Sequence, residues 1–333
     1  MKHQRLRLWV ITILLAALLL AGCNAQNEAE SAATGMPLLA PRVNVGLNEE
    51  GGLSVFGLSL ERVGGLIGQD LSAARLDPAL IQQLKAAGVQ NVEAVATGSG
   101  VYLYINGKPL PYLDMDEATR QNVGALLKLV QVNEGVANMV QSLLNNQILS
   151  RVGIPVLIEL PGTDGAAPVR DPKTLPLVDT AAVRAAAAEK VLIAHLDVAV
   201  DDQGVPTLAG SSTTDLQTAL GKAGMLMDLS TARIDPATVA ALKANNIALL
   251  QIDTEPEGLY TSINGQRLPR VAWDAERLGN ALELYRALQP NSPYLPLAQF
   301  LLPYIQPADI ELGLSLPLNA GQTAPTPAPW IAE

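Results

Sequence analysis

Apolar and polar residues alternate along this chain in short runs, and the runs come in the same order twice. Val43-Asn44-Val45-Gly46-Leu47, a turn over 48–52 and Leu53-Ser54-Val55-Phe56-Gly57 have the period of two expected of a hairpin. Leu196-Asp197-Val198-Ala199-Val200, the turn Asp201-Asp202-Gln203-Gly204 and residues 205–210 repeat it 153 residues later. A helix is predicted from Asp77, which is placed to cap it. Pro78 sits where a missing N–H is harmless, Leu80, Ile81 and Leu84 form the apolar stripe, and Gly88 stops it. Asp235 and Pro236 open its counterpart, which ends at Asn245-Asn246. Strands over 89–96 and 247–253 follow, then 101–105 and 259–263, each closed by Asn-Gly. That pair is a strong hairpin signal, because a type I′ turn needs positive φ at both central residues. The returning strands 108–115 and 266–273 contain Pro109, Pro111 and Pro269, which remove donors and predict a sheet edge. Asp116 and Asp274 are placed to cap helices over 117–131 and 275–289, with Leu126 and Leu284 on the buried face. Further helices are expected near 135–151 and 293–306, and strands 154–160 and 310–316 end at Pro161 and Pro317.

The two runs are near-copies. Asp-Leu-Ser-Ala-Ala-Arg-Leu-Asp-Pro at 70–78 returns as Asp-Leu-Ser-Thr-Ala-Arg-Ile-Asp-Pro at 228–236, 158 residues later. The same spacing superposes Leu84-Lys85-Ala86 on Leu242-Lys243-Ala244, Tyr102 on Tyr260, Ile105-Asn106-Gly107 on Ile263-Asn264-Gly265 and Asn122 on Asn280. Roughly a third of the positions from 70 to 147 match without a gap, as expected of one structural unit built twice. The expected fold is α+β, with two tandem homologous repeats. Each is an antiparallel sheet with covering helices, and the two are in a pseudo-two-fold arrangement. The chain divides into a leader (1–22), a flexible tether (23–41), repeat one (42–161), a linker with a short helix (162–190), repeat two (191–318) and a disordered tail (319–333).

The leader decides the compartment. Lys2, Arg5 and Arg7 precede an apolar run from Leu8 to Gly22, about 15 residues, which suits a signal peptide and is short for a bilayer span. The run ends in Leu20-Ala21-Gly22-Cys23, which resembles the lipobox of bacterial lipoproteins. The resemblance implies removal of residues 1–22, acylation of Cys23 and extracytoplasmic attachment to the cell membrane through several acyl chains. Cys23 is the single cysteine, so no disulfide supports the fold. Loss of Lys2, Arg5 and Arg7 with the leader takes the formal charge from −10 to −13, which argues against nucleic acid as a partner.

Catalytic and metal patterns are sparse. His195 is the one histidine left once the leader with His3 is gone, so zinc sites and Cys–His pairs lack their residues. Residues 63–68 have neither the spacing nor the lysine of a phosphate-binding loop. Of the polar residues kept in both copies, the aspartates at 77, 235, 116 and 274 read as caps. Asp70 with Arg75, and Asp228 with Arg233, are spaced to pair, or with Ser72 and Ser230 to form a polar pocket presented twice. Tyr102, Tyr104, Tyr112, Tyr260 and Trp273 gather on the Asn-Gly hairpins, either covering the sheet or forming a contact surface for glycan or protein. The Tyr-x-x-Asn-Gly-x-x-Leu-Pro pattern is similar to the hairpin repeats of bacterial stalk domains over some fifteen residues. The expected function is a non-catalytic binding or scaffold module without cofactor. The alternative is a carrier of an apolar ligand in a cavity between the repeats.

Overall fold

The structure is a computed structural model that describes residues 38–67, 75–123, 152–163, 167–187, 192–222, 233–292, 295–296, 299 and 308–330. The fold is mixed α+β around a large, mostly antiparallel sheet. Its N-terminal strands are β1 (Leu38–Leu39), β2 (Val43–Leu47), β3 (Leu53–Val55), β4 (Leu58–Ser59), β5 (Asn91–Thr97), β6 (Gly100–Ile105), β7 (Lys108–Pro109), β8 (Tyr112–Asp114) and β9 (Val152–Glu159). They lie side by side as β4-β3-β2-β9-β5-β6-β8, with β2 parallel to β9 and β1 adding a short parallel pair at Val152 and Gly153. The C-terminal strands are β10 (Leu192–Val200), β11 (Pro206–Leu208), β12 (Ser211–Ser212), β13 (Leu249–Glu255), β14 (Gly258–Ile263), β15 (Gln266–Arg267), β16 (Arg270–Ala272) and β17 (Ala308–Ser315). They lie as β12-β11-β10-β17-β13-β14-β16, with β10 parallel to β17. β8 and β16 pair antiparallel and join the two series into one sheet. Among the described residues no pairing links the outer hairpins.

Five of the seven described helices begin where an aspartate meets bare amides. α1 (Leu60–Ile67) and α5 (Thr213–Lys222) follow the outer hairpins. α2 (Pro78–Ala86) and α6 (Pro236–Ala244) start at Asp77 and Asp235, whose side chains accept from Ala79 N and Ala237 N. Asp116 makes a reciprocal capping box with Thr119 at α3 (Glu117–Gln121), α4 (Thr180–Ala186) starts at Asp179, and Asp274 caps α7 (Ala275–Leu288). Both Asn-Gly pairs have positive φ at both residues. Each asparagine also reaches back to the loop after the preceding helix. Asn106 Oδ1 accepts from Gln90 N and Asn91 N while Nδ2 donates to Gly88 O, and Asn264 makes the same three bonds with Ala248 N, Leu249 N and Asn246 O.

One face of β5 and β9 carries the main core, in which Val92, Ala94, Ala96, Val156 and Ile158 meet Leu80, Ile81 and Leu84 of α2. Leu284 and Leu288 of α7 pack on this same cluster, so the leucine expected on a buried face is partly buried, and against the N-terminal series. A smaller cluster of Val239, Ile247, Ile263, Leu268 and Leu316 serves the C-terminal series. Leu126, the helix near 135–151 and most of 293–306 lie outside the described residues.

Three expectations need correction. The strands that follow Pro111 and Pro269 do not form an edge: these prolines directly precede β8 and β16, which pair with each other in the middle of the sheet, whereas Pro109 lies in the stub β7, which pairs with β6 alone among the described strands. Pro111 and Pro269 stand where the returning strand breaks between β7 and β8 and between β15 and β16, so they remove no ladder donor. The tether expected through residue 41 is already sheet at Leu38–Leu39. The tail is not disordered: residues 319–330 lie ordered against the C-terminal series, tied down by bonds from Asn319, Gln251 and Arg267. Alternating prolines signal a chain that makes no secondary structure, and such a chain is nonetheless ordered when side chains of a neighbouring face hold its carbonyls.

Replacing Asn106 by alanine removes three hydrogen bonds and places a β-carbon residue at φ 50° without the asparagine's local bonding. We expect a loss of about 2–4 kcal/mol in urea unfolding, and a similar loss for Asn264→Ala.

Candidate functional site

Alternation sends Val92, Ala94 and Ala96 of β5 into the main core and Asn91, Glu93, Val95 and Thr97 to the opposite face, yet all of these residues are buried. The cover is the connecting segment. Leu175 and Val178 cluster there with Val95, Tyr102, Tyr104, Tyr112 and Ala272, and Val178 N donates to Tyr112 Oη at 3.2 Å. Beneath it Glu93 is 1 % exposed, and a bare carboxylate there would be untenable. Glu93 Oε1 accepts from Arg170 Nη2 at 2.7 Å and from Arg42 Nε at 3.0 Å, and Oε2 accepts from Arg42 Nη2 at 3.3 Å. Arg42 also donates to the carbonyl of Arg170, and the Arg170 guanidinium lies 5.1 Å from the Tyr104 ring centroid. Burial pushes the Tyr104 phenol up to about 12, against the pull of Arg170.

The matching face of β13 carries Gln251, Asp253 and Glu255, all buried, with Ser262 and Tyr260 opposite Gln251 and Asp253 on β14. An extended strap, residues 324–330, crosses it. Gln251 holds the strap at two points: Nε2 donates to Ala328 O at 3.0 Å, and Oε1 accepts from Ala328 N at 2.7 Å. Arg267 Nη2 donates to Pro329 O at 2.6 Å, and Trp330 stands edge-on to His195 with ring centroids 5.3 Å apart. A β-carbon on Gly265 would come within 2.1 Å of Thr326 O, so the strap needs glycine there for its approach as well as for the turn. A cleft of about 10 Å³ remains between strap and sheet, lined by Gln251, Asp253, Tyr260, Ser262 and Trp330 among others. It has room for about one water and none for an apolar ligand.

Charged side chains fill the join between the series. Arg270 of β16 pairs with Asp114 of β8, donates to Tyr260 Oη at 3.0 Å and lies 5.5 Å from that ring's centroid. Arg184 of α4 donates to Glu257 Oε1 from Nε at 2.8 Å, anchoring the connecting segment on the C-terminal series. Arg277 donates to Pro176 O at 2.7 Å and pairs with Asp274.

The aromatic surface predicted from sequence is largely internal. Tyr102, Tyr104 and Tyr112 are buried by the connecting segment, Trp273 is buried with Nε1 donating to Pro256 O, and Tyr260 is half-buried beside Arg270. These rings therefore cover the sheet and offer no open contact surface. Asp70, Asp228 and Cys23 lie outside the described residues. Arg75 and Arg233 are exposed beside the tight turns of the outer hairpins, where Leu76 N and Ile234 N donate to Gly51 O and Gly204 O. Glu93, Arg42, Arg170 and Gln251 were not singled out from the sequence. The available signal was one glutamate inside the apolar run Val92–Ala96, which asks for a buried cation from elsewhere in the chain. Among the described residues no cluster of His, Cys, Asp and Glu is arranged to hold a metal, and no helix is long and apolar enough to cross a membrane. No family model, curated protein or solved structure matches this chain.

Two measurements follow from this geometry. Arg170→Ala leaves the Glu93 carboxylate buried with less than its full complement of donors, so unfolding free energy should fall by about 3–5 kcal/mol. His195 bridges Glu311 from Nδ1 at 2.8 Å and Asp197 from Nε2 at 3.0 Å, and these two bonds, Glu311 first, raise its pKa above the ordinary 6.5. A folded-state value above the unfolded one gives a contribution that is full below about pH 6.5 and is lost as pH rises through the folded value. The His195 ring signals should titrate with a midpoint above 6.5. His195→Gln should remove that part of the stability decline toward alkaline pH.

Proposed function

We propose that this chain is an extracytoplasmic lipoprotein anchored to the membrane through Cys23, and that its folded part is a non-catalytic binding or scaffold module. In this reading the module is made of two homologous repeats related by a pseudo-two-fold axis. The leader supports the anchor: a cationic start, an apolar run of signal-peptide length and Leu20-Ala21-Gly22-Cys23 stand in the required order.

Reciprocal contacts support the two-fold. Leu113 and Val271, which are 158 residues apart, pair directly across β8 and β16. Asn122 Nδ2 donates to Arg267 O at 2.6 Å, and Asn280 Nδ2 donates to Pro109 O at 2.8 Å. Each partner in one bond is the 158-residue counterpart of a partner in the other, the pattern of a self-complementary interface.

The binding reading rests on one observation. The buried residues Glu93 and Gln251, at matching positions, each hold an extended segment across the sheet face, and the residues they hold, Arg170 and Ala328, are again 158 apart. The carbonyls of Pro168 and Thr326 lie against Gly107 and Gly265 at the same spacing. The repeat on this reading runs on through the connecting segment and the strap, and what both copies do is seat an extended polypeptide by side chains. Cys23→Ser tests the anchor. The variant should leave the membrane fraction in detergent-free extracts or accumulate with its leader uncleaved, and a cleaved variant that still partitions like the wild type defeats the lipoprotein reading.

A further inference from the structure

We propose that the seat under residues 324–330 is an exchangeable site for an extended, proline-rich peptide, and that the chain's own strap is its resident occupant. The inference rests on the binding-module reading and names the class of partner.

The occupant defines the chemistry. Pro325, Pro327 and Pro329 alternate with Thr326, Ala328 and Trp330. Prolines at every second position preset an extended conformation, so little entropy is lost on seating, and they leave few N–H groups to recruit a further strand. The seat reads what such a peptide always offers. Gln251 takes the N–H and the C=O of the small residue between two prolines, Arg267 takes the carbonyl of the following proline, and Gly265 leaves room for a backbone carbonyl. Trp330 adds an aromatic next to His195. A partner of the pattern Pro-x-Pro-small-Pro-aromatic meets every one of these contacts.

Burial separates this seat from its counterpart. The connecting segment buries Arg170, Leu175 and Val178, whereas along 324–330 Ala328 alone is buried and Thr326, Pro327 and Pro329 are exposed. A segment held at one buried residue opens locally at much lower cost than the strands beneath it.

The test uses the full chain in detergent solution and, as probe, a dye-labelled synthetic peptide with the sequence of residues 323–330. Ala328→Asp brings a carboxylate against Gln251 and lifts the strap while leaving every seat residue in place. Fluorescence polarisation should show saturable binding of the probe to this variant. Adding Gln251→Ala should weaken the binding at least about tenfold. The wild-type chain should take the probe less well, because its strap competes at an effective concentration on the order of millimolar. A folded Ala328→Asp chain that ignores the peptide, or binding indifferent to Gln251→Ala, overturns the proposal. If that variant does not fold, hydrogen exchange on the wild type decides. The Ala328 amide should exchange at least about 100-fold faster than that of Ile252, and equal protection of the two overturns the proposal. A negative result with the fold intact removes exchange at this seat only, since membrane partition of Cys23→Ser tests the anchored module separately.

Discussion

The antiparallel pairing of Tyr112–Asp114 with Arg270–Ala272 is the contact on which the rest of the architecture depends. It is only three residues long on each side, and backbone bonds alone would hold it weakly. The ion pair of Arg270 with Asp114 runs across it, Tyr260 takes a second Arg270 donor, and Ala272 packs beneath Tyr112 in the cluster covered by Leu175 and Val178. Because the join is in the middle of the sheet, the β7 and β15 stubs face helices across it. Asn280 reaches Pro109 and Asn122 reaches Arg267, and α7 lays Leu284 and Leu288 on the opposite core. The N-terminal core is thus completed by leucines from the C-terminal half, whereas the smaller C-terminal cluster is made from its own residues.

A sheet covered by helices on one face still has a second face. Here that face carries polar and charged residues that water would ordinarily solvate, and extended chain covers it. The two seats solve this differently. Under the connecting segment an ionised glutamate is neutralised by two arginines, one of them from the cover itself. Under the strap a neutral amide meets a neutral peptide group. Losing one partner of a buried ion pair leaves an uncompensated charge, whereas an amide that loses its peptide retains groups that water satisfies. The first cover is therefore costlier to lift than the second.

His195, with Glu311 and Asp197 beside it and Trp330 against its ring, sits at the end of the strap. The two carboxylates, and not the strap, raise its pKa, so its protonation strengthens the link between β10 and β17.

Much of this protein was legible in its residues. Alternation located most of the described strands, Asp-Pro and the lone aspartates marked helix starts, and Asn-Gly marked the turns, because each depends on bonds made within a few residues. The short helix α1 was missed, since Gly64 and Gly65 within it argue against helix and packing on the outer hairpin overrides them. Pairing of β8 with β16, the burial of three tyrosines and the ordering of a proline-rich tail were decided by tertiary structure. Each involves residues far apart in the chain, such as Glu93 with Arg170 and Gln251 with Ala328, and no local preference encodes which distant segment covers a face. The chain by itself determined most of its elements, its internal repetition in sequence and the lipobox-like pattern at Leu20–Cys23. Only the folded structure decided that Pro111 and Pro269 lie at the centre of the sheet and that distant segments of the chain cover its second face, because burial and long-range pairing, and not propensity, assign those positions.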